Sequence, residues 1–277
     1  MDAVTAQWVQ IGGGETLVAS RKGAWVQSPQ AAALELWGSM PPSHAGTVET
    51  TRQLLDGAIA VASRGEAPLQ DWPPTALRWA LALVDQWYTA HHSVGLLPVA
   101  LERYESVHRP ELARFARRKL QEEAGHDRLP LADLHALGYD AQATVQRVPP
   151  GRTARDLVRL ARECVGGPRP VGFFGYIYAL ERRVIEIGSE ALRALDGALP
   201  CGVEAASGVR AHAAEFDRQH VEELVDFVAG LPAGDRTEIA LICHRTAAIS
   251  CSPPPADDTQ DIERERRLAR HQPRARS

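Results

Sequence analysis

The sequence has few cysteines, and none of them lie close together along the chain. Its four cysteines, Cys164, Cys201, Cys243 and Cys251, form no Cys-x-x-Cys pair. This scatter argues against a zinc–thiolate site and against a framework of disulfides. We therefore expect four ordinary reduced thiols, in a protein of the cytoplasm.

The chain also lacks the marks of a membrane protein or of a nucleic-acid-binding protein. No apolar run approaches the roughly 18 residues of a membrane span, and the first residues lack the basic start and apolar core of a secretion signal. A formal net charge of −4 gives no sign of a nucleic-acid partner. With 44% hydrophobic and 24% charged residues, the 277-residue chain is long enough for a sizeable globular core.

Residues 1–65 differ in pattern from the rest of the chain and predict a small N-terminal α+β subdomain. Three short β-like runs, Gln7–Ile11, Thr16–Ser20 and Ala24–Gln27, are separated by glycine-containing turns. Helical runs follow them. This order resembles the winged-helix peptide-recognition modules that accompany modified-peptide biosynthesis enzymes, which would imply a peptide or carrier partner. A plain N-terminal subdomain is the alternative interpretation.

Residues 70–250 are patterned as helix almost throughout, which predicts an all-α domain. The first long helix should cover 75–106, with a break near 95–98. The second should run from Pro110 to Leu137, loosened by Gly125 and Pro130 and ended by Gly138. Two later helices are expected over 171–199 and 206–230. The proline-rich and highly charged segment 251–277 is expected to be a disordered tail.

Five polar residues fall on the apolar faces of these helices. Glu123 and His126 share one helix face, Glu181 lies in the middle of the apolar arc of 171–199, and Asp217 and His220 repeat the three-residue spacing. An ionised carboxylate buried without a partner costs several kcal/mol. A metal ion would compensate that cost, whereas either pair alone is more often a buried hydrogen-bonded couple.

The five residues also lie level with one another if short turns join antiparallel helices. A carboxylate helix followed by a carboxylate-x-x-histidine helix, occurring twice, is the ligand pattern of two-metal carboxylate proteins. The first long helix should supply a further ligand, and His91, His92 and Asp85 all remain candidates. His212, at the rim of its helix face, is a ligand, a supporting residue or a surface residue.

At these residues the chain resembles the heme-oxygenase-like di-iron oxidases and oxygenases, which are relatives of thiaminase II and of the pyrroloquinoline-quinone synthase. The resemblance rests on EEAGHDRLPLADLHALG from Glu122, GYIYALE ending at Glu181, and DRQHVEEL from Asp217. It covers about residues 75–250. It implies a heme-oxygenase-like helical bundle whose iron ligands are Glu123, His126, Glu181, Asp217 and His220. Many members carry a histidine where this chain has Ala213, so that the neighbouring His212 would have to serve.

The resemblance further implies an O2-dependent non-heme iron enzyme with two Fe(II) ions. Glu181 or Asp217 would bridge the ions, and Glu123 and the histidines would bind terminally. Its substrate would be a small amine, amino acid or fatty acid. The alternatives are a metal-free enzyme of the quinone-synthase or thiaminase type, and a non-enzymatic metal- or peptide-binding protein. A homodimer is possible in each case.

Overall fold

In the computed structural model, the described residues are 6–27, 46–64, 74–185, 189–213, 215–252 and 259–270. They form twelve α-helices and one three-stranded sheet. Among them no helix combines the length and the apolar character that crossing a membrane requires.

The N-terminal sheet has the three strands that the sequence predicts. Strands β1 (Gln7–Gly12), β2 (Glu15–Ser20) and β3 (Gly23–Gln27) are antiparallel and lie in the order β1-β2-β3. Val9 pairs with Leu17, and Val18 pairs with Trp25. Helix α1 (Val48–Ala62) packs on β2, where Leu17, Leu54 and Leu55 are fully buried. The small α+β region therefore forms as expected.

The remaining helices run along the rest of the described chain. Their bounds are α2 Ala76–Ser106, α3 Pro110–Glu122, α4 Arg128–Ala136, α5 Ala141–Arg147, α6 Arg152–Gly166, α7 Phe173–Ile185, α8 Ser189–Ala198, α9 Ser207–Ala213, α10 Glu215–Ala229, α11 Ala233–Cys251 and α12 Thr259–Ala269. A short 3₁₀ turn, Pro170–Gly172, precedes α7. The prediction of a mainly helical chain with a small N-terminal sheet is confirmed.

The tertiary contacts divide the chain into two units made of non-consecutive segments. The first unit comprises residues 1–66, 164–183 and 215–251, and the second comprises 67–163, 184–214 and 252–277. The boundaries predicted from composition, 1–65, 70–250 and 251–277, concern consecutive segments, and as domain boundaries they stay a prediction.

The first unit is held together by close helix packing and by a buried polar network. A Cβ on Gly175 of α7 would lie 2.0 Å from the carbonyl oxygen of Ile239 in α11, so only glycine allows these helices to approach so closely. Gln7 of β1 donates to Thr50 of α1 at 2.7 Å and accepts from the buried Arg236 of α11 at 2.8 Å. This network fixes the sheet to both helices.

The second unit has its own hydrophobic core between α2, α4, α8 and α9. Trp79, Leu83, Leu134, Leu195 and Leu268 are buried in it. Leu268 belongs to α12, within the segment that was expected to be disordered. That prediction is wrong for residues 259–269, because Arg264 and Leu268, four residues apart, place one buried face of α12 in this unit.

Several predicted helix boundaries also differ from the structure. Helix α2 continues through Pro98 without the expected break, and the buried Leu97 and Ala100 on either side of the proline hold it in place. The segment from Pro110 to Leu137 is divided into α3 and α4. Gly138, with a φ of +88°, ends α4 as predicted. The helices expected over 171–199 and 206–230 each appear as two, with residues 186–188 and 214 outside the described part.

Candidate functional site

Glu123 and His126 lie in the turn that separates α3 from α4. Gly125 adopts a φ of +91°, which other residues rarely adopt, and Pro130 has no N–H to offer the carbonyl oxygen of His126. The helix that periodicity predicts therefore ends at Glu122, and the chain turns at the two candidate ligands. The expected loosening of the helix at this point is confirmed.

The two side chains form a hydrogen-bonded couple. His126 Nδ1 lies 2.9 Å from Glu123 Oε2, and the side chains of Glu123 and His126 are 20% and 26% exposed. In the tautomer that satisfies this bond, Nδ1 donates its proton to the carboxylate and Nε2 is the ring nitrogen without a proton. An imidazole oriented in this way by a carboxylate is a common arrangement in metal ligands.

Glu122, the last residue of α3, is about as buried as Glu123. Its side chain is 17% exposed, and its Oε2 lies 3.0 Å from Nζ of Lys119. Arg118 approaches its other oxygen at 3.6 Å.

Lys119 is a residue that the sequence reasoning missed. Its side chain is only 1% exposed, although lysine is almost never fully buried without a partner. The signal was present, because Lys119 follows the buried Leu112 by seven residues and the buried Phe115 by four, on the same helix face. The end of α3 therefore carries an internal positive charge one turn before Glu123.

The structure distinguishes the three first-helix candidates by their partners. Asp85 accepts hydrogen bonds from Arg264 and from the backbone N–H of Gly151, both at 2.6 Å. Burial raises the pKa of Asp85, and the Arg264 charge opposes that shift. This carboxylate serves to hold α12 against α2.

The two histidines of α2 have different neighbours. His92 Nδ1 lies 3.3 Å from Arg162, and burial together with that guanidinium lowers the pKa of His92. His91 stacks on Trp87 and contacts Asp127 at 2.9 Å. Because Asp127 follows His126 directly, His91 is the candidate whose contacts reach the 123–127 turn.

In the first unit, α7 and α10 carry the other predicted ligands. Glu181 and His220 are half buried, and one carboxylate oxygen of Glu181 is shielded from solvent. The side chains of Asp217 and His212 lie outside the described part of the structure. Within neither unit do the described side chains form a group of three or more histidine, cysteine, aspartate or glutamate residues suited to a metal ion.

A part-buried polar cluster fixes helix α7 on either side of Glu181. The hydroxyl of Tyr178 donates to Asp56 at 2.8 Å, and Arg182 donates to the same oxygen at 3.0 Å. Burial raises the pKa of Tyr178 far above its ordinary range, and Asp56 adds to the shift. Tyr178 therefore remains a hydrogen-bond donor at any physiological pH and anchors α7 to α1.

No protein-family model matches the sequence, and no curated protein matches it either. Among solved structures, the chain is similar to a crystal structure of a domain of unknown function with a heme oxygenase-like fold from Shewanella denitrificans OS217. The TM-score is 0.58 and the sequence identity is 18%, over 88% of this chain and 96% of that chain. The chain therefore has a heme-oxygenase-like helical fold, as the resemblance implied.

Proposed function

We propose that this protein is an O2-dependent non-heme iron oxidase or oxygenase that acts on a small amine, amino acid or fatty acid. The observation that carries the proposal is the Glu123–His126 couple, in which a carboxylate orients an imidazole at a helix break. The heme-oxygenase-like fold supports it, because the resemblance that implies these iron ligands also implies that fold.

The donor set fits iron in its chemistry, since carboxylate oxygens and imidazole nitrogens suit this metal and no thiolate is required. The residues that would hold it are Glu123, His126, Glu181, His212, Asp217 and His220. Iron, when bound, supplies the electrons that the activation of O2 requires.

The chain's own residues have separate tasks in this proposal. Glu123 accepts the Nδ1 proton of His126 and so directs Nε2 away from the carboxylate. Tyr178 and Arg182 hold Asp56 and thereby fix the helix that presents Glu181. The half-buried position of Glu181 and His220 limits their contact with water, which strengthens electrostatic interactions there.

The test is an anaerobic titration with ferrous ion followed by exposure to O2 under stopped flow. We expect about two irons per chain and a transient absorbance after mixing with O2. Glu181→Ala and His220→Ala should each lower the iron stoichiometry, whereas Glu102→Ala and His135→Ala, at exposed positions, should leave it unchanged. Absence of iron binding by the wild type, or equal binding by all four variants, would contradict the proposal.

A metal-free acid–base enzyme of the quinone-synthase or thiaminase type is a second candidate. One observation favours it: Glu123, His126 and the buried Lys119 already place a carboxylate, an imidazole and an ammonium within about two turns. Substrate turnover that survives dialysis against a strong chelator and is lost in His126→Gln would support this candidate over the iron enzyme.

We further propose that residues 1–65 bind a peptide or carrier partner. Strand β3 is an edge of the three-stranded sheet, and its Trp25 is 45% exposed. Trp25→Ala should then weaken capture of that partner without changing iron binding. Size-exclusion chromatography would separate a monomer, a homodimer and the cage that a ferritin-like iron store requires.

A further inference from the structure

Lys119 differs from nearly every other cation of the chain. The sequence has 31 lysines and arginines, and only Lys22 and Lys119 are lysines. Lys22 is exposed in the turn between β2 and β3, whereas Lys119 is buried in α3. A lysine ammonium is a compact point charge, and its burial requires compensation by nearby acceptors.

The surroundings of Lys119 show where this charge acts. Its ammonium forms an ion pair with Glu122 at 3.0 Å, and Arg118 lies 3.6 Å from the same carboxylate. Two cations therefore engage Glu122. Lys119 and Glu123 are also four residues apart, and the N–H of Glu123 donates to the carbonyl oxygen of Lys119 at 2.9 Å.

The result is a carboxylate–imidazole couple with a buried positive charge on the preceding turn. A divalent ion bound by Glu123 and His126 would add two positive charges beside that ammonium. Repulsion between like charges is strong where water is scarce, and Lys119 is almost fully shielded from solvent. Glu122, which could otherwise offset this repulsion or serve as a further ligand, is held by Lys119 and Arg118.

We infer that the buried ammonium group of Lys119 weakens metal binding at Glu123 and His126. This inference rests on the proposed function in one respect, namely that this couple takes a metal ion. It makes the Glu123–His126 couple a weak metal site, so that Lys119 sets how readily this couple holds an ion.

The test compares the Co(II) affinity of the wild type with that of variants at position 119. Co(II) is added alone as the probe under anaerobic conditions, and its binding is followed by visible absorbance. Removing the charge in Lys119→Met should tighten the weaker class of binding sites by about tenfold or more. Lys119→Arg, which keeps the charge, should bind as the wild type does. Lys22→Met, which removes the chain's other lysine from an exposed turn, is the matched control and should change nothing.

The gain in Co(II) affinity must also depend on the Glu123–His126 couple. Adding His126→Ala to Lys119→Met should abolish this gain. Because Lys119→Met leaves Glu122 buried with less compensation, the double variant Lys119→Met/Glu122→Gln provides a neutral replacement of the pair, and it too should bind Co(II) more tightly than Glu122→Gln alone. Thermal melts confirm that each variant is folded.

The outcomes separate this inference from the proposed function. The inference would be overturned if Lys119→Met bound Co(II) as the wild type does and the double variant bound it as Glu122→Gln does, even if iron binding and O2 reactivity are found. A His126-dependent gain in affinity without any O2 reaction would support the inference and contradict the oxidase. A gain that persists in the absence of His126 would also overturn the inference.

Discussion

Asp133 shows how a single buried residue can hold two helices of the second unit. Its carboxylate is 1% exposed and accepts the N–H of Ser207 at 3.0 Å, the hydroxyl of Ser207 at 2.6 Å and the N–H of Gly208 at 3.2 Å. These bonds satisfy the start of α9 from a side chain of α4. Asp133 is therefore a structural anchor, although it lies only seven residues after His126.

We expect Asp133→Ala to lower the free energy of unfolding by about 2–3 kcal/mol, because it leaves buried donors without an acceptor. Asp140 provides the control, since its exposed carboxylate accepts one hydrogen bond, from the N–H of Ala143 at 3.1 Å. Asp140→Ala should cost about 1 kcal/mol. Urea unfolding followed by circular dichroism measures both. Equal losses of unfolding free energy in the two variants would show that the burial of Asp133 contributes nothing further to stability.

His244 gives the first unit a dependence on pH. Its Nδ1 is buried and has no hydrogen-bond partner among the described residues. Burial lowers the pKa of His244 below its ordinary value of 6.5, while Glu15 partly opposes the shift. Between the two pKa values the unfolded chain binds more protons than the folded chain, so the stabilising effect is complete above about pH 6.5 and is lost as pH falls.

Thermal melts of the wild type should accordingly show a lower Tm at pH 5.5 than at pH 7.5. His244→Leu should reduce this difference, leaving the part that comes from other groups such as His92, whose pKa is also lowered. His135→Leu, at an exposed position, should keep the full difference. The interpretation fails if His244→Leu and His135→Leu show the same dependence on pH.

At the scale of elements, the break between α3 and α4 depends on one glycine. Gly125 has a φ of +91°, where a side chain is strained whatever space surrounds it. Gly95 lies inside α2, and a Cβ added there would meet nothing within 4 Å. The same chemical change therefore has opposite consequences in the two elements.

Gly125→Ala should destabilise the protein by about 1–2 kcal/mol. Gly95→Ala should stabilise it by about 0.5–1 kcal/mol, because alanine loses less conformational freedom in a helix. Guanidinium unfolding of the two variants measures the difference. Destabilisation of similar size in both would mean that the backbone at Gly125 is not the cause.

At the scale of the whole molecule, each unit is assembled from distant parts of the chain. In the second unit, α12 is joined to α2 by Arg264, which bonds to Asp85 at 2.6 Å, Asp261 at 2.9 Å and the carbonyl oxygen of Pro149 at 2.9 Å. Arg264 is buried, whereas Arg267, one turn later, pairs with Glu263 at the surface.

Arg264→Ala should lower the free energy of unfolding by about 2–3 kcal/mol, because it removes a buried guanidinium and leaves the half-buried Asp85 without its counter-charge. Arg267→Ala should cost less than about 1 kcal/mol, as exposed ion pairs contribute little. Equilibrium unfolding in urea compares them. A small loss in Arg264→Ala would mean that α12 contributes little to this unit.

The sequence by itself determined most of the elements and the contact between Glu123 and His126. Turn residues located the three strands, hydrophobic periodicity located most helices, and the spacing of Glu123 and His126 placed them within hydrogen-bonding distance. These features are local, so neighbouring residues decide them. The break at Gly125 was also foreseeable, because glycine and proline act on their own backbone.

Only the tertiary structure decided which distant groups neutralise the buried charges. The pairing of Asp85 with Arg264 joins residues 179 positions apart. It gives Asp85, a candidate ligand, a structural role, and it holds α12 in a segment that was expected to be disordered. Contacts across the fold likewise keep α2 continuous through Pro98. Lys119 is the intermediate case, since periodicity places it on the buried face of α3, but its burial to 1% and its contact with Glu122 follow from the packing around it.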